Sequence, residues 1–223
     1  MSSIESIRLK FRNEIYIPLT CKHRGRKLNN TNFTIISNNC WGGTVYEAYN
    51  LPKESPTVGM FFMAKDYIEF LSDLKGYVNG KLTFIKPEES RWKDMLQVSG
   101  DKRFGHYPVG VLSNGKNTIE LFFLHYHSEK EAREKWERRI KRINWDKLLV
   151  KFNDQNGCTE KELQAFLELP FRHKLFFTCK NWNIYSGNII KVKQPFNHEY
   201  IQASYEPFGN SRCCRISDII SDL

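Results

Sequence analysis

The sequence predicts an α/β protein: a mostly parallel sheet flanked by helices, with a β-hairpin inserted. Three observations lead there. Short runs rich in β-branched and aromatic residues recur along the chain, among them "FTIIS", "SPTVGMFFM", "KLLVKF", "HKLFF" and "NIIKVK". Helix-period segments separate most of them. In the middle, "SNGKN" joins "YPVGVL" to "IELFFL" as the turn of a hairpin. Strands that alternate with helices form parallel sheets, because a parallel neighbour requires a long crossover. The 223 residues suit one such domain. Two small α/β subdomains divided near residue 120 are the alternative.

The elements follow in order. Residues 3–16 read as a helix with Ile4, Ile7, Phe11 and Ile15 on one face. "CKHRGRKLNN" follows as a basic connector. Residues 33–37 form the first strand, and a helix is expected over 43–49, ended by Pro52. "SPTVGMFFM" predicts a second buried strand. "AKDYIEFLSDLKGYV" predicts a helix, and "LTFI" another strand. Ser128 and Glu131 make a capping box for the long helix "SEKEAREKWERRIKRINW", whose Ala132, Trp136, Ile140 and Ile143 share a face. Thr159 and Glu162 make a second capping box, between the strands at 147–152 and 173–177.

Composition narrows the function classes. With 40% hydrophobic and 14% aromatic residues the chain can bury a sizeable core, which excludes a disordered protein. No run of about 18 apolar residues predicts a membrane span. The first residues lack the continuous apolar stretch of a signal peptide. A cytoplasmic protein is the expectation, with the inner membrane face as one working place. Six cysteines without CxxC spacing read as free thiols. The net charge of +9 suits a phosphorylated substrate, an anionic membrane or nucleic acid. Acids interleave with the bases of the long helix, which argues against nucleic acid.

Ligands of open α/β sheets bind beyond the carboxyl ends of the strands. Four loops stand at such positions. The first carries Asn38, Asn39, Cys40, Trp41, Gly42 and Gly43. The second carries His125 and Tyr126. The third carries Asp154, Asn156, Gly157 and Thr159, and the fourth Lys180. Gly42 and Gly43 would admit a phosphate to a helix N-terminus. Asn38 and Asn39 would bind sugar hydroxyls or phosphate, and Trp41 would stack on a sugar or base. His125 is the candidate general acid or base, with Asp154 in support. Cys40 is a candidate nucleophile only if its pKa is lowered. The plain alternatives are a tight turn with Trp41 plugging the core, a small buried Cys40, and turn chemistry at Asp154, Asn156 and Gly157.

Metal dependence has no support, since HExxH and an Asp-x-Asp pair are both missing. No cofactor is expected. "GVLSNGKN" approaches a P-loop, but Asn117 replaces the Ser or Thr and the stretch sits in a hairpin turn.

The stretches "FTIISNNCWGG", "SPTVGMFF", "DYIEFL", "YPVGVL", "FLHYHSEKEAREKWERRIKRINW" and "DQNGCTEKELQAF", in that order, resemble the bacterial family DUF1919. Its members are often labelled exopolysaccharide or capsule biosynthesis proteins. The resemblance runs from residue 33 to about 166, and "HKLFFTCK" extends it to about 180. It implies an α/β fold and a place in bacterial surface-polysaccharide synthesis, without specifying a reaction. The leading expectation is a transferase acting on a sugar nucleotide or a lipid-linked glycan. The alternatives are an acyltransferase using Cys40 and a non-enzymatic anion-binding or scaffold protein.

Overall fold

The computed structural model describes residues 3–99, 102–194 and 198–223. Four parallel strands, β1 (Thr34–Ser37), β5 (Leu148–Asn153), β6 (His173–Thr178) and β7 (Ile189–Lys191), form one sheet in the order β1-β5-β6-β7. Three antiparallel strands, β2 (Lys81–Ile85), β3 (Val109–Ser113) and β4 (Thr118–Phe122), form a second. The α/β class is therefore as the sequence predicts. The hairpin β3–β4 gains β2 as a third strand, and all three lie in the long excursion between β1 and β5.

A helical arm opens the chain: α1 (Ser3–Phe11), a π-helical turn (Arg12–Tyr16) and α2 (Ile17–Gly25). The sequence placed a connector over 21–30, yet the helix continues to Gly25. Pro18 would press its ring on the carbonyl of Glu14 in a regular helix, and the wide π turn lies immediately before it. A Cβ at Gly25 would stand 2.4 Å from the Tyr49 carbonyl oxygen, so only glycine lets the arm approach the body this closely.

The remaining helices are α3 (Trp41–Ala48), α4 (Ala64–Ser72), α5 (Leu74–Val78), α6 (Lys93–Val98), α7 (Glu129–Ile140), α8 (Glu160–Glu168) and α9 (Ile216–Ser221). The helix expected over 64–78 is two helices, because Asp73 leaves helical geometry and caps α5 through Gly76 N–H. The capping box at Thr159 forms, and the one at Ser128 forms by half. Glu162 accepts from the N-cap N–H of Thr159, whereas Ser128 Oγ accepts from Glu131 N and the Glu131 carboxylate takes the N–H of His127, one residue before the cap.

"SPTVGMFFM" is not a strand. It turns at Gly59 (φ +82°) and makes a single antiparallel bridge, Phe61 to Phe122. An apolar run buried on both sides satisfies a buried connector as well as a strand. Its backbone groups pair individually, Phe62 N with Asn38 O and Gly59 O with His125 N.

Strand alternation splits the core. Ile36, Val150, Phe152 and Phe176 face α4, α8 and the second sheet, and the same cluster takes in Leu112, Ile119 and Leu121. Ile35, Leu149, Leu175 and Phe177 face α3 and α9. Residue 120 lies within β4, paired with Val111. No described helix is long and apolar enough to cross a membrane.

Candidate functional site

The rim at the carboxyl ends of β1, β5 and β6 exists, and three of the four predicted loops meet there. It is filled by protein. Lys151 interrupts the apolar strand "LLVKFN" on the face that carries Leu149, and its side chain is fully buried. Its ammonium group has three donors, and all three find acceptors. Glu206 Oε1 lies at 2.5 Å, Asn39 Oδ1 at 3.0 Å and Asn38 Oδ1 at 3.3 Å. Glu206 also accepts from Asn153 Nδ2 at 2.6 Å and from Asn39 Nδ2 at 3.1 Å. The Trp41 and Phe177 rings flank the ammonium, each with its centroid at 5.8 Å. Burial pulls the Lys151 pKa below the ordinary lysine value, and the Glu206 charge opposes that shift.

Asp154 completes the closure. It accepts from Thr178 Oγ1 at 2.5 Å, Cys179 N at 3.2 Å and Ile201 N at 2.7 Å. Trp41 Nε1 donates to Pro207 O at 2.5 Å. Residues 201–207 are thus latched across the strand ends by Asp154, Lys151 and Trp41.

This geometry corrects several sequence expectations. Asp154 does not support His125, because its two oxygens are engaged by Thr178, Cys179 and Ile201. His125 is exposed in the turn after β4, on the second sheet. Partial desolvation first, then the charges of Arg103 and Lys53, hold its imidazole below the ordinary histidine value. Cys40 donates weakly to Met60 O, and burial pushes its thiol up to about 12. A thiol that stays protonated at neutral pH is no nucleophile.

Gly42 and Gly43 serve packing. A Cβ at either would stand 3.1 Å from a side-chain methyl, Ile35 Cγ2 or Val58 Cγ1. Both lie buried inside α3, and Trp41 N–H at its first turn is taken by Asn39 Oδ1 at 3.0 Å. No phosphate reaches that helix N-terminus as the chain is folded. The plain alternative holds for Trp41, which is buried edge-to-face against Phe177.

The other predicted residues are also engaged in the fold. Asn38 donates to Asn153 Oδ1 at 2.7 Å. Tyr126 donates to Val58 O and accepts from buried Arg139 at 2.5 Å. Asn156 (φ +56°) and Gly157 (φ +82°) make the turn before α8, and Thr159 caps it. Lys180 lies over the Trp182 ring.

The open site lies on the outer side of the latch. A cleft of about 620 Å³ separates the helical arm from residues 204–213. Arg8, Arg12 and Arg24 line one wall, and Lys191 and Lys193 contribute further positive charge. The guanidinium groups stack on aromatic rings: Arg8 on Tyr205 at 5.4 Å, Arg12 on Phe208 at 5.4 Å and Arg24 on Tyr16 at 4.9 Å. Arg12 also donates to Ser204 O at 2.9 Å. Stacking fixes the guanidinium planes and leaves N–H edges for an anion. Glu5 and Glu206 are the acids of the lining, and both are buried.

None of the predicted site residues lines this cleft. The sequence carried two signals for what was missed. Lys151 is a charge in the middle of an apolar strand, and Arg8, Arg12, Tyr16 and Arg24 sit at helical spacing along the arm.

These features define a class: an α/β protein with a charge-latched strand rim and a basic cleft formed by its two chain ends. A sequence model of the family described as "Domain of unknown function (DUF1919)" matches residues 12–220. The chain belongs to that family. It is similar to an uncharacterized protein of Haemophilus influenzae, with 37% identity over 155 residues, 70% of this chain. The match spans 66% of that protein's length.

Proposed function

We propose that the cleft binds the diphosphate of a sugar nucleotide or lipid-linked glycan, and that the protein is a transferase of bacterial surface-polysaccharide synthesis working at the cytoplasmic face of the inner membrane. The observation that carries the binding half is the triad of ring-stacked arginines in one cleft. Guanidinium forks match phosphate oxygens in pairs, and aromatic walls suit a base or sugar ring. A volume near 620 Å³ accommodates such a ligand. His125 stands outside the lining and the Cys40 thiol is pushed up to about 12, so acid–base or acyl chemistry by either is not part of this reading.

One observation favours a non-enzymatic second reading, an anion-binding protein of the same pathway. Glu206 is tied up by Lys151, Asn153 and Asn39, which leaves it no capacity to act as a base. Calorimetry against nucleoside diphosphate sugars and a short polyprenyl diphosphate tests binding. One of them binds, and Arg12→Ala weakens it by about 10-fold. If no member binds, the proposal fails. Sugar release from the bound ligand in the presence of glycan acceptor then separates transferase from binder.

A further inference from the structure

The helical arm presents a second surface that the cleft does not use. Ile4, Ile7, Phe11, Ile15 and Leu19 are all exposed, Ile7 at 68%, Phe11 at 55% and Leu19 at 78%. Scattered exposed apolar residues need no explanation, but these five fall on one stripe. Spaced by four, residues 7, 11, 15 and 19 would drift around a regular helix by about 40° per step. The π turn over Arg12–Tyr16 winds more slowly and counters that drift, so the stripe stays on one side. The opposite side holds the arm to the body through buried Glu5 and Ile17 and through Arg12.

The charges around the stripe are one-sided. Residues 3–27 contain seven Lys and Arg against two Glu, and one of those, Glu5, is buried. Arg8, Lys10, Lys22, Arg26 and Lys27 are exposed. An apolar stripe bordered by basic residues on a helix lying along the surface is the pattern of an interfacial membrane helix. Four to eight such bases attract anionic lipid headgroups.

We infer that the stripe Ile4–Ile7–Phe11–Ile15–Leu19 docks the protein on an anionic lipid bilayer, with the arm in the plane of the headgroups. Phe11 belongs both to the stripe and to the cleft lining, so docking sets the mouth of the cleft beside the bilayer. The inference stands on the stripe and its charges, whatever the cleft binds.

Vesicle co-sedimentation of the full chain tests it. Phosphatidylglycerol-containing vesicles bind the protein at low salt, and phosphatidylcholine vesicles bind it at least about 10-fold more weakly. Ile7→Glu with Leu19→Glu reduces binding by about 10-fold or more. Both positions are solvent-exposed, and an unchanged thermal melt verifies folding. Loss of binding in Lys22→Glu with Lys27→Glu, which keeps the stripe, supports the charge contribution separately. No binding to anionic vesicles, or equal binding by the Ile7→Glu, Leu19→Glu variant, overturns the inference. So does a dimer in sedimentation velocity that this variant abolishes without vesicles, since the stripe then meets a second copy.

Discussion

The buried carboxylates of Glu206 and Asp66 each face a basic side chain, and the two pairs differ in access to water. Glu206 and Lys151 are both fully enclosed, with side chains 0% exposed. Asp66 is 5% exposed, but its partner Arg91, at 2.6 Å, is 43% exposed. Asp66 also accepts from Trp92 Nε1 at 2.7 Å and Glu120 N at 2.9 Å. Its charge is thus held by three donors, one of which belongs to a solvated cation. Lys151 has no route to solvent and depends on Glu206 for the neutralising charge. A pair that has lost its water must keep both members, whereas a half-solvated pair tolerates the loss of its exposed one.

The largest expected effect breaks the enclosed pair. Lys151→Met should cost about 3–5 kcal/mol, because Glu206 is left as an uncompensated buried charge. Urea unfolding at neutral pH measures it. Adding Glu206→Gln to that variant should recover much of the loss, since the pair is then replaced by uncharged groups. If the single variant loses less than about 1 kcal/mol, the latch does not hold residues 201–207.

Next comes Asp66→Ala. It leaves Glu120 N–H without its acceptor and should cost about 1–3 kcal/mol in the same assay. Arg91→Ala should cost under about 1 kcal/mol, because an exposed partner contributes little. A loss for Arg91→Ala as large as that for Asp66→Ala would overturn the distinction between the two pairs.

The smallest effect concerns pH. Lys151 titrates below the ordinary value of 10.5 in the folded chain. Between that lowered value and the ordinary one, the unfolded chain binds more protons than the folded chain. Stability from this group therefore rises with pH across that window, and its full cost is present below it. Lys151→Met should flatten that rise, whereas Arg91→Ala should leave it unchanged. Unfolding free energies measured at closely spaced alkaline pH values decide this.

Legibility in the sequence differed between strands, helices and site. β1, β5, β6 and β7 were readable because apolar runs bounded by turn residues carry their own signal. The N-caps Ser128 and Thr159 were readable because the hydrogen bonds they make are local, although only Thr159 completes its box. The run "SPTVGMFFM" misled, since burial on both sides looks the same in a strand and in a connector. Asn39 and Trp41 were rightly placed at the strand ends, yet their partners, Glu206 and Pro207, stand more than 160 residues away. No local pattern reports such a pairing.

The sequence by itself determined the α/β class, the N-caps, the family and the apolar face of the first helix, because each is written in neighbouring residues. Only the tertiary structure decided that the rim is closed. That follows from Lys151, Asp154 and Trp41 finding partners in the chain's last quarter, where each buried polar group had to be satisfied. The cleft moved to the two chain ends for the same reason: once the strand ends are latched, the arm and residues 204–213 enclose the space that remains open.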